Sequence, residues 1–177
     1  MIRKAAEFAR EVHKGALRKG SKIPYIYHPM EVALLVSQMT SDEDVIAAAY
    51  LHDVLEDTPT TEAELETRFG SRITELVKAE TEDKALSWHE RKGNTVRHLQ
   101  TASREVRILT LADKLSNLRS TARDYLVMGD QVWERFHEKN KESHKWYVQG
   151  IVEGLRDLAS EPYYQELCRL FDFVFGS

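Results

Sequence analysis

Ala47-Ala48-Ala49-Tyr50-Leu51-His52-Asp53-Val54-Leu55-Glu56-Asp57 opens as a run of small helix-forming residues and closes in a burst of ionisable ones. Read as one helix, the stretch puts residues three and four apart on a shared face. His52 then lies over Glu56, and Asp53 over both Glu56 and Asp57. Leu51, Val54 and Leu55 interleave with them, so this end is not a solvated stripe. A buried imidazole or carboxylate needs a partner, and a metal ion satisfies both kinds. The stretch therefore predicts a helix that holds a catalytic metal, with flanking segments supplying the other ligands and a substrate pocket. Ser41 is its expected N-cap, followed by Asp42, Glu43 and Asp44 in the first turn. Thr58-Pro59 ends it.

Outward from this stretch, helical periodicity prevails and no alternating strand of useful length stands out. Ala5, Phe8, Ala9 and Val12 mark the apolar face of a first helix. A basic loop from Gly15 to Pro24 carries Arg18, Lys19 and Lys22. Pro24-Tyr25-Ile26-Tyr27-His28-Pro29 leads into a second helix, with Pro29 suited to its first turn. Beyond the central stretch, a short helix from Thr61 to Phe69 ends at Gly70, and Ser71 opens another. Ser87 with Glu90 reads as a capping box for a helix through Thr101. Ser103 caps a long apolar helix that Gly129-Asp130 breaks. Two late helices, Glu142 to Ala159 and Glu161 to Val174, complete the chain. The expected architecture is all-α, a single-domain bundle over residues 1–177, with the 161–174 helix packing on the rest.

At 177 residues the chain can bury one substantial core. Its formal net charge of −4 argues against a general nucleic-acid or membrane-surface binder, so an anionic ligand would be drawn by a local cluster or a metal. The single cysteine, Cys168, permits no intrachain disulfide and reads as a packed thiol on a late helix. The charged, amphipathic N-terminus is unlike a signal peptide, and no stretch reaches transmembrane length. A cytoplasmic protein is expected, without a nucleic-acid or membrane partner; its oligomeric state is left open.

Taken singly, His52 reads as well as a hydrogen-bonded core histidine. Asp113 sits in the apolar run Leu109-Thr110-Leu111-Ala112-Asp113-Lys114-Leu115, where a carboxylate needs a reason, either a ligand role or an ion pair with Lys114 or Arg119. His28 follows an aromatic approach at a helix start. His13, His89, His98 and His137 lack such company and read as surface or satisfied side chains.

The order His28…His52-Asp53…Asp113 resembles the HD metal-dependent phosphohydrolase superfamily. Tyr25-Ile26-Tyr27-His28-Pro29-Met30-Glu31-Val32-Ala33, Leu51-His52-Asp53-Val54-Leu55-Glu56-Asp57-Thr58, Phe69-Gly70, Thr81-Glu82-Asp83-Lys84 and Leu111-Ala112-Asp113-Lys114-Leu115-Ser116-Asn117-Leu118-Arg119 narrow it. Together they are similar to the hydrolase domain of the RelA/SpoT group, which removes the 3′-pyrophosphate from guanosine alarmones. The similarity runs from about residue 5 to 157.

The resemblance implies one Mn²⁺ held by His28, His52, Asp53 and Asp113, although this nitrogen-oxygen set also admits Fe²⁺ or Zn²⁺. It implies that Glu56 and Asp57 jointly activate water and handle protons. Arg18 and Lys19 match a basic pair that contacts the purine, and Asn117 a residue that contacts the nucleotide sugar or phosphate. Lys114 and Ser116 stand where the family often has Arg and His, and the Gly20-Ser21-Lys22-Ile23 loop is slightly longer than usual. A late-helix aromatic facing the substrate is expected among His144, Trp146 and Tyr147. With no nucleotidyl-transfer domain after the hydrolase-like region, the implied protein is a stand-alone small alarmone hydrolase acting on ppGpp or pppGpp. Its rivals are an HD phosphohydrolase for another nucleotide phosphate and a catalytically silent nucleotide-binding sensor.

Overall fold

The structure, a computed structural model, describes residues 1–176; Ser177, the last residue of the expected domain, lies outside the described residues. The helices are α1 (Ile2–Val12), α2 (Tyr27–Met39), α3 (Glu43–Leu51), α4 (Val54–Asp57), α5 (Glu62–Phe69), α6 (Ser71–Glu80), α7 (Trp88–Leu99), α8 (Arg104–Met128), α9 (Lys141–Gly154) and α10 (Pro162–Phe175). Turns of 3-10 helix follow α8 and α9, at Gly129–Arg135 and Arg156–Leu158. Among the described residues the only extended pairing is an isolated bridge between Leu17 and Pro24, which pinches the basic loop shut at its base. The chain is all-α.

The alanine run explains the centre. Val45 through Ala49 and Leu51 of α3 are all buried, and α1, α2, α6 and α8 pack around them. Small side chains let several helix backbones approach one axis, and close packing then comes from the neighbours' larger residues. α8 supplies Leu109, Leu111, Ala112, Leu115 and Leu118 to the same core, and α10 adds Tyr164, Leu167, Val174 and Phe175. Local signals set the ends. Ser87 and Glu90 cap α7 reciprocally, and the Ser103 hydroxyl accepts from the Val106 amide at 3.3 Å.

Two expectations about the central stretch are corrected. The N-cap is Asp42, not Ser41, because the Asp42 carboxylate accepts from the Asp44 amide at 3.0 Å while also gripping Arg72. Nor does one helix run through His52 and Asp53. α3 stops at Leu51, these two residues form a turn, and α4 restarts at Val54. The His52 ring Nδ1 donates back to the Ala49 carbonyl at 2.8 Å, so the imidazole caps the end of its own helix.

α7 and α9 cross at two glycines of α9. A Cβ at Gly150 would sit 2.8 Å from a Val96 methyl, and one at Gly154 would sit 3.0 Å from the Leu99 Cβ. Val96 is β-branched and has essentially one rotamer on a helix, so it cannot turn aside. Gly150→Ala gains about 1 kcal/mol of helix propensity. Against this stands overpacking that costs about 1–3 kcal/mol. A net fall in the denaturant midpoint is expected; a raised midpoint would show that the crossing has slack.

Candidate active site

The break at His52-Asp53 creates the site, because it turns both side chains toward α2 and α8. His28 and His52 are buried with their Nε2 atoms 3.2 Å apart. Asp53 Oδ2 lies 2.9 Å from His52 Nε2 and 3.5 Å from His28 Nε2. Asp113 Oδ1 lies 3.0 Å from His28 Nε2 and 3.6 Å from His52 Nε2. Donor atoms of His28, His52 and Asp113 all fall within 4.8 Å of one another. The structure thus brings together four side chains that the sequence scatters over three segments.

Hydrogen bonding fixes which ring nitrogen faces inward. Ser116 gives its single proton to Glu31 Oε2 at 2.8 Å, so its oxygen accepts from His28 Nδ1 at 2.9 Å. His52 Nδ1 is committed to the Ala49 carbonyl. With both Nδ1 atoms so engaged, the two Nε2 atoms face the same point, together with two carboxylate oxygens. Two Nε2 lone pairs 3.2 Å apart would repel, so either a proton or a metal cation must lie among these groups. This donor set fits a divalent metal, with both histidine tautomers set by outer partners.

Without a metal the same carboxylates favour a proton on His52, which a metal bound there would displace. Burial works against charge on the carboxylates, yet His52 beside Asp53 and Lys114 beside Asp113 hold both below the usual carboxylate range. Burial likewise opposes charge on His52, but Asp53 and Asp113 outweigh it and raise its pKa. Asp113 also answers the ion-pair alternative: it makes both contacts. Its Oδ2 binds Lys114 Nζ at 2.6 Å while Oδ1 faces the imidazoles.

α4 carries Glu56 and Asp57 past the break, and the Asp57 amide donates to the Asp53 carbonyl at 2.9 Å, the spacing of four expected for that pair. Glu56 is half-buried; its carboxylate accepts from the Glu82 amide at 3.2 Å, and burial raises its pKa. Asp57 is exposed and holds Lys84 Nζ at 2.7 Å. Arg18 donates to Asn117 Oδ1 at 3.1 Å, and the Asn117 amide donates to Asp113 Oδ1 at 2.7 Å. Asn117 thus ties the basic loop to the metal corner. The Lys19 ammonium lies 5.6 Å from the Phe136 ring centre, and Lys22 is exposed.

A cleft of about 310 Å³ adjoins this corner. Arg18, Lys19, Lys92, Lys114 and Arg135 line it and no acidic side chain does, so a chain of net charge −4 presents a locally cationic hollow. Its other wall is aromatic: Tyr25, Trp88, Trp133, Phe136, His144 and Tyr147. Of the three late-helix candidates, His144 and Tyr147 line the cleft, while Trp146 is exposed and does not. Among the described residues the buried Tyr147 hydroxyl has no hydrogen-bond partner. A second cleft, of about 340 Å³, shares Arg18 and Lys19 and reaches His28 from the other side.

Sequence reasoning missed Tyr25, Trp88 and Lys92. The last two share a helix face at a spacing of four, a signal the sequence does carry. It also misplaced His13, which is neither on the surface nor satisfied. His13 ends α1 buried against the Tyr25 ring, and among the described residues its Nε2 has no hydrogen-bond partner.

Known proteins share this arrangement of helices. The family model described as HD domain matches residues 5–143. A Xenopus tropicalis protein named guanosine-3′,5′-bis(diphosphate) 3′-pyrophosphohydrolase MESH1 is 38% identical over 88% of this chain and 85% of its own length. An Aquifex aeolicus guanosine-3′,5′-bis(diphosphate) 3′-pyrophosphohydrolase is 34% identical over 93% of this chain, which spans 24% of that longer protein. The solved structure described as a metazoan ortholog of SpoT that hydrolyzes ppGpp superposes with a TM-score of 0.81 at 28% identity, over 96% of this chain and 93% of its own.

Proposed function

The chain belongs to the HD-domain family, and on that premise we propose that it hydrolyses the 3′-pyrophosphate of ppGpp or pppGpp, yielding GDP or GTP and pyrophosphate. The observation that carries the reading is the meeting of two kinds of site. Inward-facing Nε2 lone pairs and carboxylates suit a divalent ion, and beside them an acid-free cationic cleft with aromatic walls suits a nucleotide.

His28, His52, Asp53 and Asp113 would hold one divalent ion, with Mn²⁺ the assignment and Fe²⁺ or Zn²⁺ compatible with the same donors. When bound, such an ion neutralises phosphate charge and acidifies a water. Glu56 and Asp57 align that water and handle its proton. Glu56 suits the work of a base because burial raises its proton affinity. Arg18 offers a planar guanidinium to a purine face, and Lys19 offers a donor to a ring oxygen. Among the described residues neither has an acidic partner, so both are available to an anion or a base. Asn117 reaches the sugar or phosphate while steadying Asp113.

The setting is the cytoplasm. No described helix is long and apolar enough to cross a membrane.

Purified protein incubated with Mn²⁺ and a nucleotide panel tests this reading. Pyrophosphate released from ppGpp at the 3′ position is the expected result. Phosphate released only from another nucleotide would keep the metal centre and change the substrate. Nucleotide binding without turnover would make the protein a sensor.

A further inference from the structure

Every side chain at the metal corner has an outer partner, and those partners differ in kind. His28 is steadied by Ser116, itself bound to Glu31, and His52 by the Ala49 carbonyl. Asp113 is held by Lys114 and Asn117. These three side chains are at most 7% exposed, so close packing fixes them as well. Asp53 is the exception at 19%. It sits in the turn between α3 and α4 rather than within a helix. Among the described residues its carboxylate accepts one hydrogen bond from outside the imidazole pair, from the Tyr25 phenol to Oδ2. Of the two Asp53 oxygens, that is the one facing both Nε2 atoms.

We propose that Tyr25 is the positioning residue for the metal centre, its hydroxyl aiming Asp53 Oδ2 at the point where His28 and His52 converge. The inference rests on the metal-centre reading above. Tyr25 is built to hold one place. Its amide donates to the Ala16 carbonyl at 2.9 Å, and its carbonyl accepts from the His28 amide at 2.9 Å. Its ring packs on His13 at 4.9 Å between centroids and meets His28 edge-on at 5.7 Å. The Leu17–Pro24 bridge closes the loop immediately before it. Buried His13 thus gains a purpose: it is the floor on which the Tyr25 ring rests.

Tyr25→Phe removes the hydroxyl and keeps the ring, its packing on His13 and its wall of the cleft. In protein stripped by chelator and titrated with Mn²⁺ followed by EPR, the dissociation constant is expected to rise roughly 10- to 100-fold, the usual loss for an outer partner of a ligand. At saturating Mn²⁺, kcat for ppGpp should fall while KM stays within about twofold, because the substrate wall is intact. A Mn²⁺ dissociation constant matching wild type would overturn the proposal, as would a lowered metal-free melting temperature with no change in Mn²⁺ affinity. Weaker Mn²⁺ binding in Tyr25→Phe alongside a wild type inert toward ppGpp would uphold Tyr25 and refute the substrate. Active wild type with unchanged Mn²⁺ affinity in the variant would do the reverse.

Discussion

Glu56→Gln is expected to lower kcat by about 10²- to 10⁴-fold, the range lost with a general base, and to leave the metal bound. The substitution is close to isosteric. A glutamine oxygen still accepts from the Glu82 amide, so the link between α4 and the segment before α7 survives. No hydrogen bond joins Glu56 to His28, His52, Asp53 or Asp113 among the described residues, so ligand geometry has no reason to move. What disappears is a half-buried carboxylate whose proton affinity burial has raised. A base works only when deprotonated, so activity should rise with pH through the Glu56 pKa, with the acid limb above the ordinary value of about 4.3. The variant should lose that limb. Exposed Asp57, engaged by Lys84, is the less protected partner and shares the proton traffic. Turnover within about threefold of wild type, with metal still bound, would remove Glu56 from the chemistry.

Much of the fold was legible because its signals are local. Ser87 with Glu90, Ser103 and the Thr61–Gly70 pair mark helix ends through bonds that span only a few residues. The break between Leu51 and Val54 was not. Neither glycine nor proline marks it, and what ends α3 there is a ring-to-carbonyl bond that a helical wheel does not contain. The same limit hid the cleft. Arg18 stands out in the sequence through the family resemblance, while Trp133 and Arg135 draw no attention there. Only the packing of α7, α8 and α9 around the basic loop gives them a shared hollow. The four candidate ligands could be singled out because a buried histidine or aspartate must answer for its cost wherever it stands. Tyr25 could not, since a half-buried tyrosine is unremarkable until its hydroxyl is seen on Asp53.

Asp113→Ala should separate two roles that one side chain fills. Its Oδ2 neutralises Lys114, whose side chain is 17% exposed, and its Oδ1 faces the imidazoles. Removing one partner of a buried pair costs about 3–5 kcal/mol because the other charge is stranded. Lys114 keeps Glu80 nearby, a carboxyl that burial pushes up to about 7, and this softens the loss toward the lower end. That cost belongs to the metal-free protein and should appear in chelator. The second role appears only with metal. Mn²⁺ at a hundred times its dissociation constant stabilises wild type by about 2.7 kcal/mol. At roughly 2–4 °C per kcal/mol for a chain of this size, the melting temperature should rise by about 5–10 °C. In Asp113→Ala that rise should vanish and hydrolysis with it, even at temperatures where the variant is still folded. Melting curves of both proteins in chelator and in Mn²⁺ give all four values. If the variant melts lower in chelator yet rises with Mn²⁺ as far as wild type does, Asp113 is a counter-ion for Lys114 and no ligand. The metal would then rest on His28, His52 and Asp53, with the Tyr25 hydroxyl the outer partner of Asp53.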